Sequence, residues 1–205
     1  MRGKIVILGL LASFLPGFAS GEEPKPLADG EILRGNFTQE RVLQGFDAPL
    51  RSTGTFVLAP GKGLIWQTEK PFAVVTLMTE DGLAQQSNGT TTLNVPASRA
   101  PIMAGLYDML TGALAGDLTA MDKDFVVERS DVGAKWHLVL KPRNGTPSAA
   151  MPVIGIEVSG QSFVEQVVIE KQGGDTDRLV FNDQERAAGA LTAEEQALLG
   201  TVGKP

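Results

Sequence analysis

The chain has 205 residues, a net charge of −6 at neutral pH, 42% hydrophobic residues and no cysteine. This length suits one all-β domain with its own core, and the acidic balance argues against nucleic acid and against passive adhesion to anionic lipid. The lack of cysteine excludes a disulfide framework and a lipid-bearing cysteine.

Residues 1–19 have the pattern of a secretory signal peptide. A basic start precedes an apolar run from Ile5 to Leu15, and Gly17 and Ala19 occupy the −3 and −1 positions of a cleavage site. Cleavage there would remove two basic residues and leave a net charge of −8. The run is too short to span a bilayer stably, and no later stretch of about 18 apolar residues follows. We therefore expect a soluble, unanchored protein of the periplasm.

The next residues, 20–35, are expected to form an extended lead-in, because Pro24 and Pro26 interrupt a polar stretch. A single domain is expected over 36–200. Its first half predicts strands at 36–43, 52–59, 63–68, 73–79, 82–86 and 90–94. Asp81-Gly82 and Asn88-Gly89 between them are hairpin signals, because these residues tolerate the positive φ angles of tight turns.

Between Ser98 and Leu118 the apolar pattern changes to that of a helix. Three- and four-residue spacing relates Met103, Leu106, Leu110 and Leu114. Ser98 suits an N-cap. Gly112 and Gly116 are predicted to break this segment into a helix and a second short helical piece.

Strand-like alternation then resumes in five stretches, 125–127, 136–140, 154–158, 163–169 and 179–181. Trp136, Leu138 and Leu140 share one face of their stretch while His137 lies on the other, which is typical of a sheet that is wet on one side. A final helix is predicted over about 192–199, with Thr192 and Glu195 forming a capping box.

Signs of catalysis are few. His137 is the single histidine and is predicted to face solvent, whereas metal sites need several convergent ligands. No nucleophile elbow, zinc-binding helix or phosphate loop is found. Five carboxylates near turns could supply an acid and a base, but capping and loop roles are favoured for Asp81, Asp108, Asp117, Asp122 and Asp124. We expect no enzymatic activity, no metal and no cofactor.

A surplus of large apolar residues carries the functional prediction. One concave sheet face could hold Phe37, Phe56, Leu58, Leu64, Trp66, Val74, Met78, Trp136, Leu138, Leu140, Val167, Ile169 and Phe181. An open sheet with one helical segment leaves a cavity, and flexible methionines at 103, 109 and 121 suit a lid that repacks around varied ligands. The alternative is that these residues simply fill a core, and the pattern alone favours that at least as strongly.

The order of several motifs resembles the LolA-type lipoprotein carriers over about residues 36–200. The motifs are Asn36-Phe37-Thr38-Gln39, Gly54-Thr55-Phe56 followed by Ala59-Pro60, Leu64-Ile65-Trp66, Lys70-Pro71, Asp81-Gly82-Leu83, and Leu179, Phe181 and Asn182 before the late helix. The resemblance implies a mainly β fold, an incomplete, half-open antiparallel β-barrel with a small α-helical lid that encloses a hydrophobic cavity.

The resemblance also implies a function, that of a periplasmic carrier or chaperone. It would shelter the acyl chains of a lipoprotein or another lipidated amphiphile between an inner-membrane transporter as donor and an outer-membrane acceptor, acting as a monomer. The residues expected to line the cavity and lid are Phe37, Phe56, Leu58, Leu64, Trp66, Val74, Met78, Ile102, Met103, Leu106, Leu110, Trp136, Leu138 and Leu140.

One position departs from the family pattern. Well-studied carriers place an arginine just before the turn proline, where it hydrogen-bonds the lid closed, and here Ala59 precedes Pro60. This favours a specialised branch whose cargo is a glycolipid or a lipid-linked compound. Two other functions remain open, a scaffold module of an envelope transport complex that holds no lipid, and a hydrolase that uses the scattered carboxylates.

Overall fold

Eleven strands form one antiparallel sheet in the computed structural model, which describes residues 25–28, 30–99, 110–117, 125–143 and 153–204. The strands are β1 (Glu31–Val42), β2 (Leu50–Ala59), β3 (Gly63–Lys70), β4 (Val74–Thr79), β5 (Gly82–Ser87), β6 (Thr90–Pro96), β7 (Phe125–Val132), β8 (Lys135–Pro142), β9 (Val153–Gly160), β10 (Val164–Lys171) and β11 (Thr176–Ala188). A 3₁₀ turn (Ala97–Arg99), a helical stretch over 110–115 and a helix α1 (Ala193–Leu199) complete the described structure.

The strand order across the sheet is β6-β5-β4-β3-β2-β1-β11-β10-β9-β8-β7. Two meanders are therefore joined side by side through β1 and β11, and β6 and β7 are left at the edges without pairing to each other in the described part of the chain. The predicted mainly β, half-open antiparallel barrel is confirmed.

The predicted hairpin signals form turns. Asn88 and Gly89 have φ angles of 50° and 74° between β5 and β6, and Gly82 has a φ of 142° after the β4–β5 turn. These positive angles explain why Asn and Gly stand there, because other residues adopt them at a cost. No helix among the described residues is long and apolar enough to cross a bilayer. The predicted signal peptide, 1–19, lies outside the described residues.

β1 begins at Glu31, so the predicted start of this strand at residue 36 is wrong. Ile32 and Leu33 are consecutive and both buried, in two hydrophobic clusters on opposite faces of the sheet. Adjacent buried residues break the inside–outside alternation from which strands are predicted. The alternation pattern therefore does not predict this part of β1, where both faces of the strand are buried.

The larger cluster lies on what we call the inner face, which bears Phe37, Phe56 and Trp66. Cross-strand pairing assembles it, with Phe37 opposite Phe181 and Phe56 opposite Trp66. The predicted face of β8 is confirmed, since Trp136, Leu138 and Leu140 are all buried there. The remaining buried members of the inner cluster are Leu33, Leu58, Leu64, Ala113, Leu114, Phe125, Ile156, Val158, Val164, Val167 and Leu179.

Part of the helical segment predicted between the two meanders lies within the described chain. Residues 110–115 are helical, so the prediction that Gly112 breaks the helix is wrong. Gly116, with a φ of 81°, ends it, because the Asp117 N–H donates to the Gly112 carbonyl at 2.9 Å and the Gly116 N–H donates to the Ala113 carbonyl at 3.1 Å. The predicted start of the helix after Ser98 falls on 100–109, outside the described residues.

The outer face is covered by α1 beside the first meander. Leu199 and Val202 pack with Ile65, Leu77 and Ala84 in the second cluster. The predicted capping box is confirmed. The Glu195 N–H donates to Thr192 Oγ1 at 3.2 Å, and the Thr192 N–H donates to Glu195 Oε2 at 2.8 Å.

Glu195 also binds Arg34 of β1, which ties α1 to the sheet. Arg34 Nη2 donates to Glu195 Oε2 at 3.0 Å, and Nη1 donates to Oε1. These hydrogen bonds from Arg34 lower the pKa of Glu195 from 4.5 to about 2. A depressed carboxyl pKa stabilises the fold fully above pH 4.5, and that stabilisation is lost as the pH falls towards 2.

We expect Arg34→Gln to lower the free energy of unfolding by about 1 kcal/mol at pH 7, because the pair is partly exposed. Urea titrations at pH 7 and pH 2 measure this. The difference between variant and native protein should shrink at the lower pH, and an equal difference at both values would show that Glu195 does not titrate as described.

Gly54 occupies a position in β2 where the backbone of β3 comes very close. A Cβ at Gly54 would lie 1.9 Å from the carbonyl oxygen of Gln67, and the pairing between the two strands shifts at this point. Gly54→Ala should therefore lower the free energy of unfolding by about 2 to 3 kcal/mol. Gly155→Ala in β9 is the matched control, because its nearest neighbour is 3.6 Å away. Equal unfolding midpoints for the two variants would refute the close approach.

Candidate ligand-binding site

Four aromatic rings form the centre of the inner face, and we call them the aromatic quartet: Phe37, Phe56, Trp66 and Phe181. The rings of Phe37 and Trp66 stack with centroids 3.8 Å apart. Phe181 meets both Phe56 and Trp66 edge to face, at 5.6 Å and 6.1 Å. The three phenylalanines are buried, whereas Trp66 is only partly buried. One large indole thus remains partly accessible beside three buried aromatic rings.

Most residues predicted for the cavity lie together in this inner cluster. Phe37, Phe56, Leu58, Leu64, Trp136, Leu138 and Leu140 are buried members, and Trp66, Met78 and Leu110 pack against them. Val74 shares the face, opposite Thr68, but lies beyond the cluster. Ile102, Met103 and Leu106 lie outside the described residues. That any of them binds a ligand stays a prediction.

Sequence reasoning missed several members of the cluster. Leu33 was assigned to the lead-in, and Ile156 and Val158 lie in a predicted strand whose buried side was not identified. Their alternation with Glu157 was the available signal, because a charged residue between two apolar ones indicates which side faces the core. Leu27 packs against the cluster from a stretch that the sequence marks only as proline-rich.

The inner face is covered by chain segments and not by a second sheet in the described structure. The Leu27 N–H donates to the Ala115 carbonyl at 2.8 Å, so residues 25–28 and the helical stretch 110–115 are joined over the cluster. Arg186 holds the same N-terminal stretch by donating to the Lys25 carbonyl, and its guanidinium lies 5.2 Å from the centroid of the Phe163 ring. We call these two segments the cover. It rests on the apolar side chains of Leu27, Leu110 and Leu114.

Charged groups lie at one end of the inner face, beyond the quartet along β1 and β11. Arg41 and Asp177 pair across these strands, and Arg41 Nε donates to Asp177 Oδ1 at 2.8 Å. Lys171 donates to Oδ2 of the same carboxylate. Burial raises the pKa of Asp177, but the hydrogen bonds from Lys171 and Arg41 outweigh it and hold the pKa below its ordinary value. Two cations therefore share the Asp177 carboxylate at this end of the inner face.

The surface of the described residues bears clefts of about 530 Å³ and about 430 Å³. The first lies around the irregularity in β11 and includes Lys135, Glu165 and Asp183. The second, which we call the rim cleft, lies next to the charged end of the inner face. Its lining residues are Gln39, Arg41, Pro49, Leu50, Arg51, Ser52, Pro71 and Phe72.

The residues considered for catalysis are dispersed. His137 Nδ1 lies 3.4 Å from Ser130 Oγ, and its Nε2 lies 3.3 Å from Glu157 Oε2. A hydroxyl, an imidazole and a carboxylate in this sequence of contacts resemble a catalytic triad. These three side chains lie on the open outer face, however, and none of them lines either cleft. Within the described residues no group of His, Cys, Asp and Glu is placed to hold a metal ion.

The remaining carboxylates of the hydrolase hypothesis do not meet in a described site. Asp81 lies in the β4–β5 turn, where its carbonyl accepts from the Ala97 N–H at 2.8 Å, and Asp117 follows the helical stretch 110–115. Asp108, Asp122 and Asp124 lie outside the described residues.

The family described as "Outer membrane lipoprotein carrier protein LolA-like" matches residues 25–201. Among solved structures, the LolA superfamily protein NE2245 from Nitrosomonas europaea is 10% identical with a TM-score of 0.41, and the match covers 76% of this chain and 86% of that one. In the MucA/MucB complex of Pseudomonas aeruginosa, the matched chain is 12% identical with a TM-score of 0.45, and the match covers 81% of this chain and 55% of that one.

A putative outer membrane lipoprotein-sorting protein domain from Vibrio parahaemolyticus gives 8% identity and a TM-score of 0.36, over 84% of this chain and 92% of that one. No curated protein matches this chain in sequence.

Proposed function

Because the chain belongs to the LolA-like family of outer membrane lipoprotein carrier proteins, we propose that it is a periplasmic carrier that shelters the acyl chains of a lipoprotein or another lipidated amphiphile. The acyl chains would lie on the inner face, against the aromatic quartet. Each methylene removed from water is worth about 0.8 kcal/mol, so an acyl chain needs such a shelter to cross an aqueous compartment.

The observation that carries this proposal is the partly accessible Trp66 on an apolar face that, among the described residues, is shielded by the cover. The side chains of Leu27, Leu110 and Leu114 now occupy that face. An acyl chain would insert between the sheet and the cover, so these side chains would exchange contacts with the sheet for contacts with the chain at little net cost. Binding would consequently be moderate, as a protein that must also release its cargo requires.

The sequence pattern and the family support the compartment and the partners that we propose. The basic and apolar start of the chain supports export across the inner membrane, and the family description supports delivery towards the outer membrane. An inner-membrane transporter would load the protein and an outer-membrane acceptor would unload it. The Ala59 that stands before Pro60 supports a specialised cargo, such as a glycolipid or a lipid-linked compound.

Quenching of tryptophan fluorescence by a brominated fatty acid tests this proposal at residue level. The chain has two tryptophans, so Trp136→Phe leaves only Trp66 and Trp66→Phe leaves only Trp136. Bromine quenches at close range, and we expect dibromostearate to quench Trp66 strongly and saturably. Unbrominated stearate is the matched ligand and should bind without quenching.

The Trp136-only protein reports on the far side of the cluster, where the ring is fully buried. We expect weaker quenching there, because a chain on the accessible part of the face meets Trp66 first. If neither single-tryptophan protein is quenched at concentrations below the micelle threshold, the inner face does not take acyl chains and the carrier function fails.

A scaffold function is the second candidate, and the tight packing of the inner face favours it. Phe37, Phe56 and Leu64 are buried by the protein's own side chains, as expected for a filled core. A replacement such as Trp66→Glu separates the two functions in a strain that depends on the protein. A scaffold would tolerate the charge as long as the sheet folds, whereas a carrier would lose its cargo.

A further inference from the structure

β11 continues beyond the point where β10 stops pairing with it. The pairing of these two strands ends where Gln166 of β10 stands opposite Val180 of β11. Over residues 182–188, β11 pairs with β1 on one side, and no described strand pairs with its other side. We call the unpaired side of residues 182–188 the open edge, which is about 20 Å long. A strand with one free side presents backbone groups to which a further chain segment can pair.

The turn between β9 and β10 explains why β10 pairs no further. A Cβ at Gly160 would lie 1.9 Å from the Phe163 carbonyl oxygen, so the chain turns tightly here and β10 begins only at Val164. β11 has a bulge at the same level, because Asp183 and Gln184 stand opposite a single residue of β1. Residues of both strands line the cleft of about 530 Å³, which we call the split cleft.

Gln184, which lines the split cleft, uses only one end of its amide within the described chain. Its Nε2 donates to the Val164 carbonyl at 2.7 Å, a side-chain bond between strands whose backbone pairing has ended. Its Oε1 is buried and accepts no hydrogen bond from any described residue. Since buried polar atoms in proteins are nearly always paired, this oxygen indicates a donor that a ligand supplies.

The charged residues that line the split cleft are Glu165, Asp183 and Lys135. Lys135 donates to Glu165 Oε2 at 2.6 Å, and Asn36 donates to Asp183 Oδ2 at 2.8 Å. The second oxygen of each carboxylate accepts no hydrogen bond from a described residue. Asn36 and Lys135 alternate with residues of the inner face, so both carboxylates are presented on the outer face. Two carboxylates with free oxygens on the same face suit a lysine or arginine side chain.

We propose that the open edge and the split cleft bind an extended, basic polypeptide segment of a partner protein. The backbone of the segment would pair with β11 along residues 182–188 as an added strand. Its lysine or arginine side chain would lie between Glu165 and Asp183, and a further donor would reach Gln184 Oε1. The net charge of −6 favours a basic partner. This site goes beyond the carrier function and does not depend on it, because the carboxylates lie on the outer face and the aromatic quartet lies on the inner face.

Four fluorescein-labelled peptides of equal length test the inference. The first alternates threonine with lysine, and the second and third have glutamine or glutamate in place of lysine. The fourth keeps the lysines but has proline in place of threonine, so it lacks half of the backbone N–H groups. Fluorescence anisotropy measures their affinities for the mature protein. We expect the first peptide to bind at least about tenfold more tightly than the glutamate and proline peptides, with the glutamine peptide between them.

Asp183→Asn and Glu165→Gln should each reduce the preference for lysine over glutamine by about threefold. Asparagine tolerates the φ of 51° that Asp183 adopts, so the first variant keeps the backbone of the bulge. Glu128→Gln is the matched control, because it removes one carboxylate from the β7–β8 hairpin, where Glu128 pairs with Lys141 at 3.4 Å. It should keep the preference of the native protein.

Hydrogen exchange followed by mass spectrometry locates the bound peptide. The lysine peptide should slow amide exchange within residues 182–188 and leave exchange in β6 and β7 unchanged. Slower exchange in β6 or β7 instead would overturn the inference, because the peptide would then pair with an outer edge of the sheet. Failure of the lysine peptide to bind would overturn it as well. A preference for lysine that survives Asp183→Asn and Glu165→Gln combined would overturn it too, because the basic side chain would then be recognised elsewhere.

Discussion

Replacing Trp136 by alanine is expected to lower the free energy of unfolding by about 3 to 5 kcal/mol. The Trp136 side chain is fully buried in the inner cluster, and its Nε1–H donates to the Gln161 carbonyl at 2.6 Å. Alanine removes the ring, leaves a cavity and frees that carbonyl. Since domains are stable by about 5 to 15 kcal/mol in total, this one change removes a large share. Equilibrium urea unfolding followed by circular dichroism measures it.

Trp136→Phe is the matched control, because it keeps an aromatic ring while removing the indole N–H. We expect it to cost clearly less than the alanine variant, since Gln161 is exposed and its carbonyl can bind water instead. A similar decrease in the free energy of unfolding for both variants would indicate that the Trp136 hydrogen bond contributes more to stability than the packing of the ring. An alanine variant as stable as the native protein would contradict the burial of Trp136.

Leu110→Glu is expected to weaken the binding of a fluorescent long-chain fatty acid by at least about tenfold while the sheet stays folded. Leu110 is half-buried at the first described position of the helical stretch 110–115 and packs against the inner cluster. A carboxylate resists burial there, so the cover would lift and two or three methylenes of a bound chain would meet water. The melting temperature should fall by less than about 8 °C.

Val132→Glu serves as the control for added charge, because Val132 is 73% exposed at the end of β7. It should bind the fatty acid as the native protein does. Global unfolding of Leu110→Glu would mean that the helical stretch is a structural element and not a cover. Unchanged affinity in a folded Leu110→Glu variant would mean that the ligand does not lie beneath this stretch.

Local sequence signals predicted much of the sheet because its strands alternate and its turns carry distinctive residues. Asn88-Gly89 specifies a hairpin by its φ preferences alone, and Thr192 with Glu195 specifies the start of α1. The order of β2 to β5 in the sheet can also be predicted from the sequence, because strands joined by short turns pair with each other in a meander. These features depend on a few adjacent residues.

Features that depend on distant partners could not be predicted in this way. Ile32 and Leu33 do not alternate, because α1 covers one face of β1 and the inner cluster covers the other. The pairing of Arg41 with Asp177 joins the first and last strands along the chain, and no spacing rule relates them. Gly112 remains helical because the segment packs on the inner face through Ala113 and Leu114, and this packing offsets the low helix propensity of glycine.

The measurement that tests the carrier function most directly is mass spectrometry of the mature protein purified from a periplasmic fraction without detergent, first under native and then under denaturing conditions. We expect a native mass above that of the polypeptide and the release of an acylated molecule on denaturation. A native mass equal to that of the polypeptide, together with no binding of a fluorescent fatty acid, would contradict the carrier function.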